Sequence, residues 1–213
     1  MEGQFETALA VLGAGGVFVY PLAATGILAI ACAIDRAYVY LRWGRLPAAL
    51  ARMLAAGAID PGAVRRSLAQ AAPGNFYVRF FAAILADDGA PAWLIESRAA
   101  DAAALIERRL DQGLWVLETV VTAAPLLGLL GTITGMIGAF KLFGASGAVD
   151  PAAVTGGVAE ALIATAMGIV IALVALAAYN YFGHRRAVIL DEMERLGTRL
   201  VDRIRLARGA EAA

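Results

Sequence analysis

The chain has 213 residues, 61% of them hydrophobic, with a mean hydropathy of +0.71. Soluble domains are usually about 45–50% apolar, so composition excludes an ordinary soluble enzyme and points to a bilayer. Eighteen basic residues balance eighteen acidic ones, which leaves none of the net basic surface that nucleic-acid binders carry.

Three uncharged runs are long enough to cross about 30 Å of hydrocarbon, which takes about 20 helical residues. They lie between Glu6 and Asp35, from Thr119 to Phe140, and from Pro151 to Gly183, the last broken only by Glu160. No basic n-region or small-residue cleavage site marks the first run, so it reads as a retained span rather than a signal peptide. Because lipid offers no partner for backbone polar groups, the spans are expected to be helices. In chain order the predicted segments are an outside N-terminal stretch (1–16), a first transmembrane helix (17–41) and a cytoplasmic helical segment (42–114). A second transmembrane helix (115–140), a short outer loop (141–152), a third transmembrane helix (153–183) and a cytoplasmic C-terminal helix (184–213) follow. The fold class is all-α.

Orientation follows from the arginines, because basic residues favour the cytoplasmic side. Residues 1–16 hold Glu2 and Glu6 but no cation, and 141–150 hold only Lys141; all 17 arginines lie in 36–109 or 185–208. The first cytoplasmic segment carries turn signals at Asp60-Pro61-Gly62, Ala72-Pro73-Gly74 and Gly89-Ala90-Pro91. Trp93 to Gln112 is a strong helix former expected to run into the second span. Past Gly183, Ile189, Met193, Leu196, Leu200 and Ile204 recur every three or four residues, so they form one stripe of a helix that continues the third span. Cys32 has no partner for an internal disulfide, no His/Cys cluster has metal-ligand spacing, and His184, flanked by Gly183, Arg185 and Arg186, reads as an interfacial ring. No cofactor and no metal are expected.

Two features break the apolar pattern. In span two, Ala124, Gly128, Gly131, Gly135 and Gly138 are spaced 4, 3, 4, 3, so all five share one helix face. Such a face lets another helix approach backbone to backbone, which is how helices associate in lipid. Pro125 in the same span removes one backbone bond and frees the Val121 carbonyl. In span three, Glu160 sits about 10 Å inside if the helix begins near Ala153, at 1.5 Å per residue. An ionised carboxylate at mid-membrane costs about 2.5–3.5 kcal/mol on insertion scales, so Glu160 is expected to face a wet cavity or a partner, or to carry a proton. Thr132 lies about 12 Å from the outer loop by the same rise, level with Glu160, and Thr165 lies further in. Hydroxyl, carboxyl and hydroxyl at stepped depths would make a polar track able to pass protons. The ordinary alternative for each threonine is a bond to a carbonyl one turn back.

The stretch Ala124-Pro125-Leu126-Leu127-Gly128-Leu129-Leu130-Gly131-Thr132-Ile133-Thr134-Gly135-Met136, followed by Gly157-Val158-Ala159-Glu160-Ala161-Leu162-Ile163-Ala164-Thr165-Ala166-Met167-Gly168 and by Tyr179-Asn180, resembles the ExbB/TolQ/MotA proton-channel family, and within it the ExbB pattern. The resemblance covers about residues 119–183. It implies a homopentameric pore in the bacterial inner membrane, with spans two and three around a dimer of a single-span ExbD-like partner whose aspartate carries protons. It also implies a TonB-like energy transducer serving transport across the outer membrane, and no enzyme activity. The family's pore threonines fall on Thr132 and Thr165, and its membrane glutamate on Glu160. This chain has Val174 where a proline is expected, and three spans where MotA-like members usually have four. The competing readings are a TolQ-like subunit with a TolR-like partner, engaged in cell-envelope maintenance, and a non-conducting membrane scaffold assembled through the glycine face.

Overall fold

The structure, a computed structural model, describes residues 17–55, 60–87, 89–144 and 151–211. The N-terminal stretch 1–16 and residues 145–150 of the outer loop lie outside the described residues. There are seven helices within the described residues, and no strand: α1 (Val19–Trp43), α2 (Ala48–Ala55), α3 (Pro61–Gln70), α4 (Phe76–Ile84), α5 (Ala92–Asp111), α6 (Leu114–Gly144) and α7 (Pro151–Glu211). Three helical stretches, Val19–Trp43, Ala92–Phe140 and Val154–Ala207, contain windows long and apolar enough to cross a membrane. The chain divides into two compact units, residues 1–34 with 113–181 and residues 35–112 with 182–213.

The first unit is an antiparallel pair of apolar helices, α6 and the first half of α7, accompanied by the first part of α1. Leu22, Leu117, Val120, Ala124, Ala161, Ala164 and Ala175 are buried in it, while Leu126, Ile133, Leu162, Val170 and Leu173 are exposed. An outward apolar surface of this kind is what lipid or neighbouring chains cover. Helix α6 continues through Pro125, and α7, 61 residues long, is unbroken at Val174. The Cys32 thiol donates to the Gly113 carbonyl at 3.1 Å.

One expectation is corrected here. The run from Trp93 does not continue into span two, because α5 ends at Asp111 and α6 starts at Leu114. Gln112 has φ −54° and ψ 123°, and Gly113 has φ 82°. The positive φ at Gly113 is the left-handed backbone that glycine adopts without strain.

The second unit packs α3, α4 and α5 with the C-terminal half of α7. The three turn signals become helix starts. Asp60 caps α3 by accepting from Ala63 N at 2.8 Å, with Pro61 in the first turn, and Asn75 caps α4 by accepting from Tyr77 N at 2.9 Å. Pro91 precedes α5 without a side-chain cap. The stripe on α7 is buried at Ile189, Met193, Leu196 and Leu200, and Ile204 is half-buried. Gly197 on the same helix takes Phe80 of α4 so closely that an added Cβ would sit 2.8 Å from its ring. Tyr77 donates its hydroxyl to Glu192; burial and the Glu192 carboxylate together push this phenol well above its ordinary value of 10. Arg186 pairs with Asp111, a hydrogen bond that strengthens the guanidinium's hold on its proton. Arg36, buried, donates to Asp35 and to the Arg109 carbonyl.

Candidate functional site

The closest approach in the first unit is between α6 and α7, and it is made by residues almost without side chains. A Cβ added at Gly128 would lie 2.9 Å from Thr165 Cα and 3.0 Å from the Ala164 carbonyl oxygen. At Gly131 it would meet Ala164 Cβ at 2.8 Å, and at Gly135 Ala161 Cβ at 2.9 Å. From the other helix, a Cβ at Gly168 would come within 2.5 Å of the Ala124 carbonyl oxygen, and at Gly157 within 3.1 Å of Ala139 Cβ. Backbones this close gain dispersion contacts that larger residues would block. Gly138, the fifth member of the expected face, has nothing within 4 Å. Ala139 takes the next place in the seam, buried against Gly157.

Sequence reasoning described one side of this seam and missed the other. On α7 the contacting residues are Gly157, Ala161, Ala164 and Gly168, and the buried Ala172 and Ala175 extend the row. Their spacing of 4, 3, 4, 4, 3 is the same small-residue signal. It is hidden there because alanine is abundant throughout span three.

The polar residues flank the seam. Thr165 Oγ1 donates across it to the Gly128 carbonyl at 2.9 Å, a bond that requires the open space a glycine leaves. Thr132 donates instead to Leu129 of its own helix at 2.7 Å, and Thr134 does the same to Leu130 at 2.9 Å. For those two the ordinary back-bonded arrangement holds. Glu160 is half-buried and makes no hydrogen bond or ion pair with another described residue. The pairings Gly128 with Thr165, Gly131 with Ala164 and Gly135 with Ala161 put Thr132 level with the turn that follows Glu160, an axial offset of about 4 Å at 1.5 Å per residue. Around α7, Glu160 and Thr165 fall about 140° apart at 3.6 residues per turn, one on each side of the seam row. The structure therefore brings Thr132 and Glu160 to one depth and ties Thr165 to the opposing backbone. It does not join the three in one hydrogen-bonded chain. Among the described residues no group of His, Cys, Asp and Glu could hold a metal ion, and His184 is exposed.

Residues 62–195 match the model of the MotA/TolQ/ExbB proton channel family. The chain belongs to that family. Biopolymer transport protein ExbB-like 3 of Synechocystis sp. is 33% identical over 177 residues, covering 79% of this chain and 81% of that protein. Biopolymer transport protein ExbB of Neisseria gonorrhoeae is 37% identical over 91 residues, 43% of this chain and 41% of that protein, so the match spans about two fifths of that relative. An ExbB homolog of Methanothermobacter thermautotrophicus is 26% identical over 194 residues, 89% of this chain and 68% of its own length. Family and hydropathy together make this a multi-pass membrane protein of the MotA/TolQ/ExbB transport type, with three helical stretches able to span.

Proposed function

We propose that this chain is the ring-forming, pore-lining scaffold of an ExbB-type proton motor in a bacterial inner membrane. Its N-terminus lies in the periplasm and its C-terminal helix in the cytoplasm. An ExbD-like single-span partner completes the proton path, and a TonB-like transducer carries the resulting motion to transport across the outer membrane. Glu160 and Thr132 hold protons or water at one depth, and Thr165 fixes the two helices that present them. The chemistry asked of the residues is modest: a carboxyl takes up and releases one proton, and a hydroxyl both donates and accepts. A pentamer is the assembly that the family resemblance suggests. The ExbB names of the relatives support this role over a TolQ-like one.

The observation that carries the reading is Glu160, a half-buried carboxyl in an apolar helix with no partner among the described residues of its own chain. A charge in that position needs water, a proton or another chain. The test is Glu160→Gln in cells that also make the single-span partner. Native mass spectrometry is expected to show an unchanged complex, while uptake driven by the protonmotive force is lost; Thr132→Ala should lower it. Wild-type uptake by Glu160→Gln at normal protein level would end the proposal. Loss of the complex itself would favour a purely structural glutamate.

A further inference from the structure

The C-terminal half of α7 presents three faces, one of which is the buried stripe. Glu194, Thr198 and Asp202, four residues apart, form a second face, and Arg195, Arg199 and Arg203 a third, about 100° further round the helix. All six are exposed. The acidic face lines an open groove of about 530 Å³ shared with α5, floored by Ala99, Ala103 and Gly197 and rimmed by Glu107, Glu194 and Asp202. Arg205 pairs with Glu96 at this groove, but Glu107, Glu194 and Asp202 have no ion pair among the described residues. Arg199 and Arg203 have none either, and Arg195 pairs only with Asp191 one turn back on its own helix.

One molecule thus carries a groove in which Glu107, Glu194 and Asp202 lie outside any ion pair among the described residues and, on the adjacent face of the same helix, a row of arginines of which only Arg195 is paired. We propose that the groove seats a second copy of this chain, which lays its Arg195, Arg199 and Arg203 face against Glu107, Glu194 and Asp202. The spacing fits. Glu194 to Asp202 and Arg195 to Arg203 are each eight residues, about 12 Å along a helix. In a ring closed by rotation, equivalent helices lie at equal height, so Glu194 meets the neighbour's Arg195 level and Asp202 its Arg203 level, each within one residue's rise. Donor and acceptor faces differ, which makes the contact head-to-tail, the kind that closes into rings. The alanine floor accepts arginine stems, which cover apolar surface while their heads reach the rim. Exposed pairs of this sort set register and partner more than affinity.

The inference rests on the reading of the chain as a ring-forming subunit but not on Glu160 carrying protons. It is tested on the full-length protein in detergent by native mass spectrometry across a salt series. Two double variants are compared, R195E with R203E and E194R with D202R, together with the variant carrying all four changes. Each double variant is expected to associate roughly tenfold more weakly than wild type, the worth of a few exposed pairs, and the fourfold variant to regain wild-type association. Recovery also answers misfolding, since a misfolded double variant is not rescued by two more charge reversals. If wild type forms a ring that the double variants leave unchanged, or if the fourfold variant stays weak, the groove assignment is wrong and the ring reading survives. A monomeric wild type would overturn both.

Discussion

Replacing Gly168 by alanine is the sharpest test of the seam. The added Cβ would lie 2.5 Å from the Ala124 carbonyl oxygen, 3.2 Å from its carbon and 3.3 Å from Gly128 Cα. The obstacle is backbone on the opposing helix, so no rotamer change relieves it. Restoring an ordinary 3.4 Å contact requires α6 and α7 to separate by about 0.9 Å, and overpacking of this kind costs about 1–3 kcal/mol. Part of that would be masked, because alanine favours a helix over glycine by about 1 kcal/mol. The control is therefore Gly156→Ala on the same helix, where an added Cβ meets nothing within 4 Å. Subtracting the two removes the propensity gain and leaves the seam. Unfolding of the purified protein in mixed micelles, titrated with SDS, should place Gly168→Ala about 1–3 kcal/mol below Gly156→Ala. Equal midpoints for the two variants would refute a backbone-to-backbone seam at Gly168.

Three further outcomes follow from single contacts. Thr165→Val, which removes the donor to the Gly128 carbonyl, should cost about 1 kcal/mol in the same titration, and Thr165→Ser should retain most of it. The Tyr77 phenol is pushed above its ordinary value of 10 by burial and Glu192, so the unfolded chain loses that proton first as pH rises. The corresponding stability is fully present below pH 10 and declines above it; thermal melts from pH 8 to 11 should fall with a slope that Tyr77→Phe flattens. Asp111→Ala breaks the pair with Arg186, whose side chains are 41% and 35% exposed respectively, so solvent screening limits the loss to under about 1 kcal/mol by thermal melting.

What the sequence revealed, and what it concealed, divides by range. The spans, the turn signals that became the starts of α3, α4 and α5 and the buried stripe from Ile189 to Leu200 are set by composition and local periodicity, so they were legible. The break at Gly113 was not. One glycine after a run of good helix formers is tolerated as often as it terminates, and only the φ of 82° decides. Glu160 announced itself because a charge among apolar residues has no ordinary explanation. The seam was half legible: glycines in span two stand out, whereas alanines in span three do not. Its far end was misplaced because the row runs Ala124, Gly128, Gly131, Gly135, Ala139, a spacing of 4, 3, 4, 4, while the continued 4, 3 pattern leads to Gly138. Which carbonyl Thr165 meets depends on interhelical register, which no single-helix pattern contains.

The tightness of the seam has a consequence for conduction. Where a Cβ has only 2.5–3.1 Å between α6 and α7, no water molecule fits, since even one needs a roomy polar site. Thr165 closes the gap further by bonding across it at 2.9 Å. A proton therefore cannot travel between these two helices within one chain. Glu160 lies to one side of the row, and Thr132 bonds to its own helix, so any path must run along outer faces of the pair and be walled by other chains. A single protomer is expected to be proton-tight. Reconstituted at one copy per vesicle with a pH-sensitive dye inside, the chain should leak no faster than empty lipid under an imposed potential. Proton flux from single copies would show that a route exists inside the protomer, and the closed seam would then be the wrong account of how α6 and α7 meet.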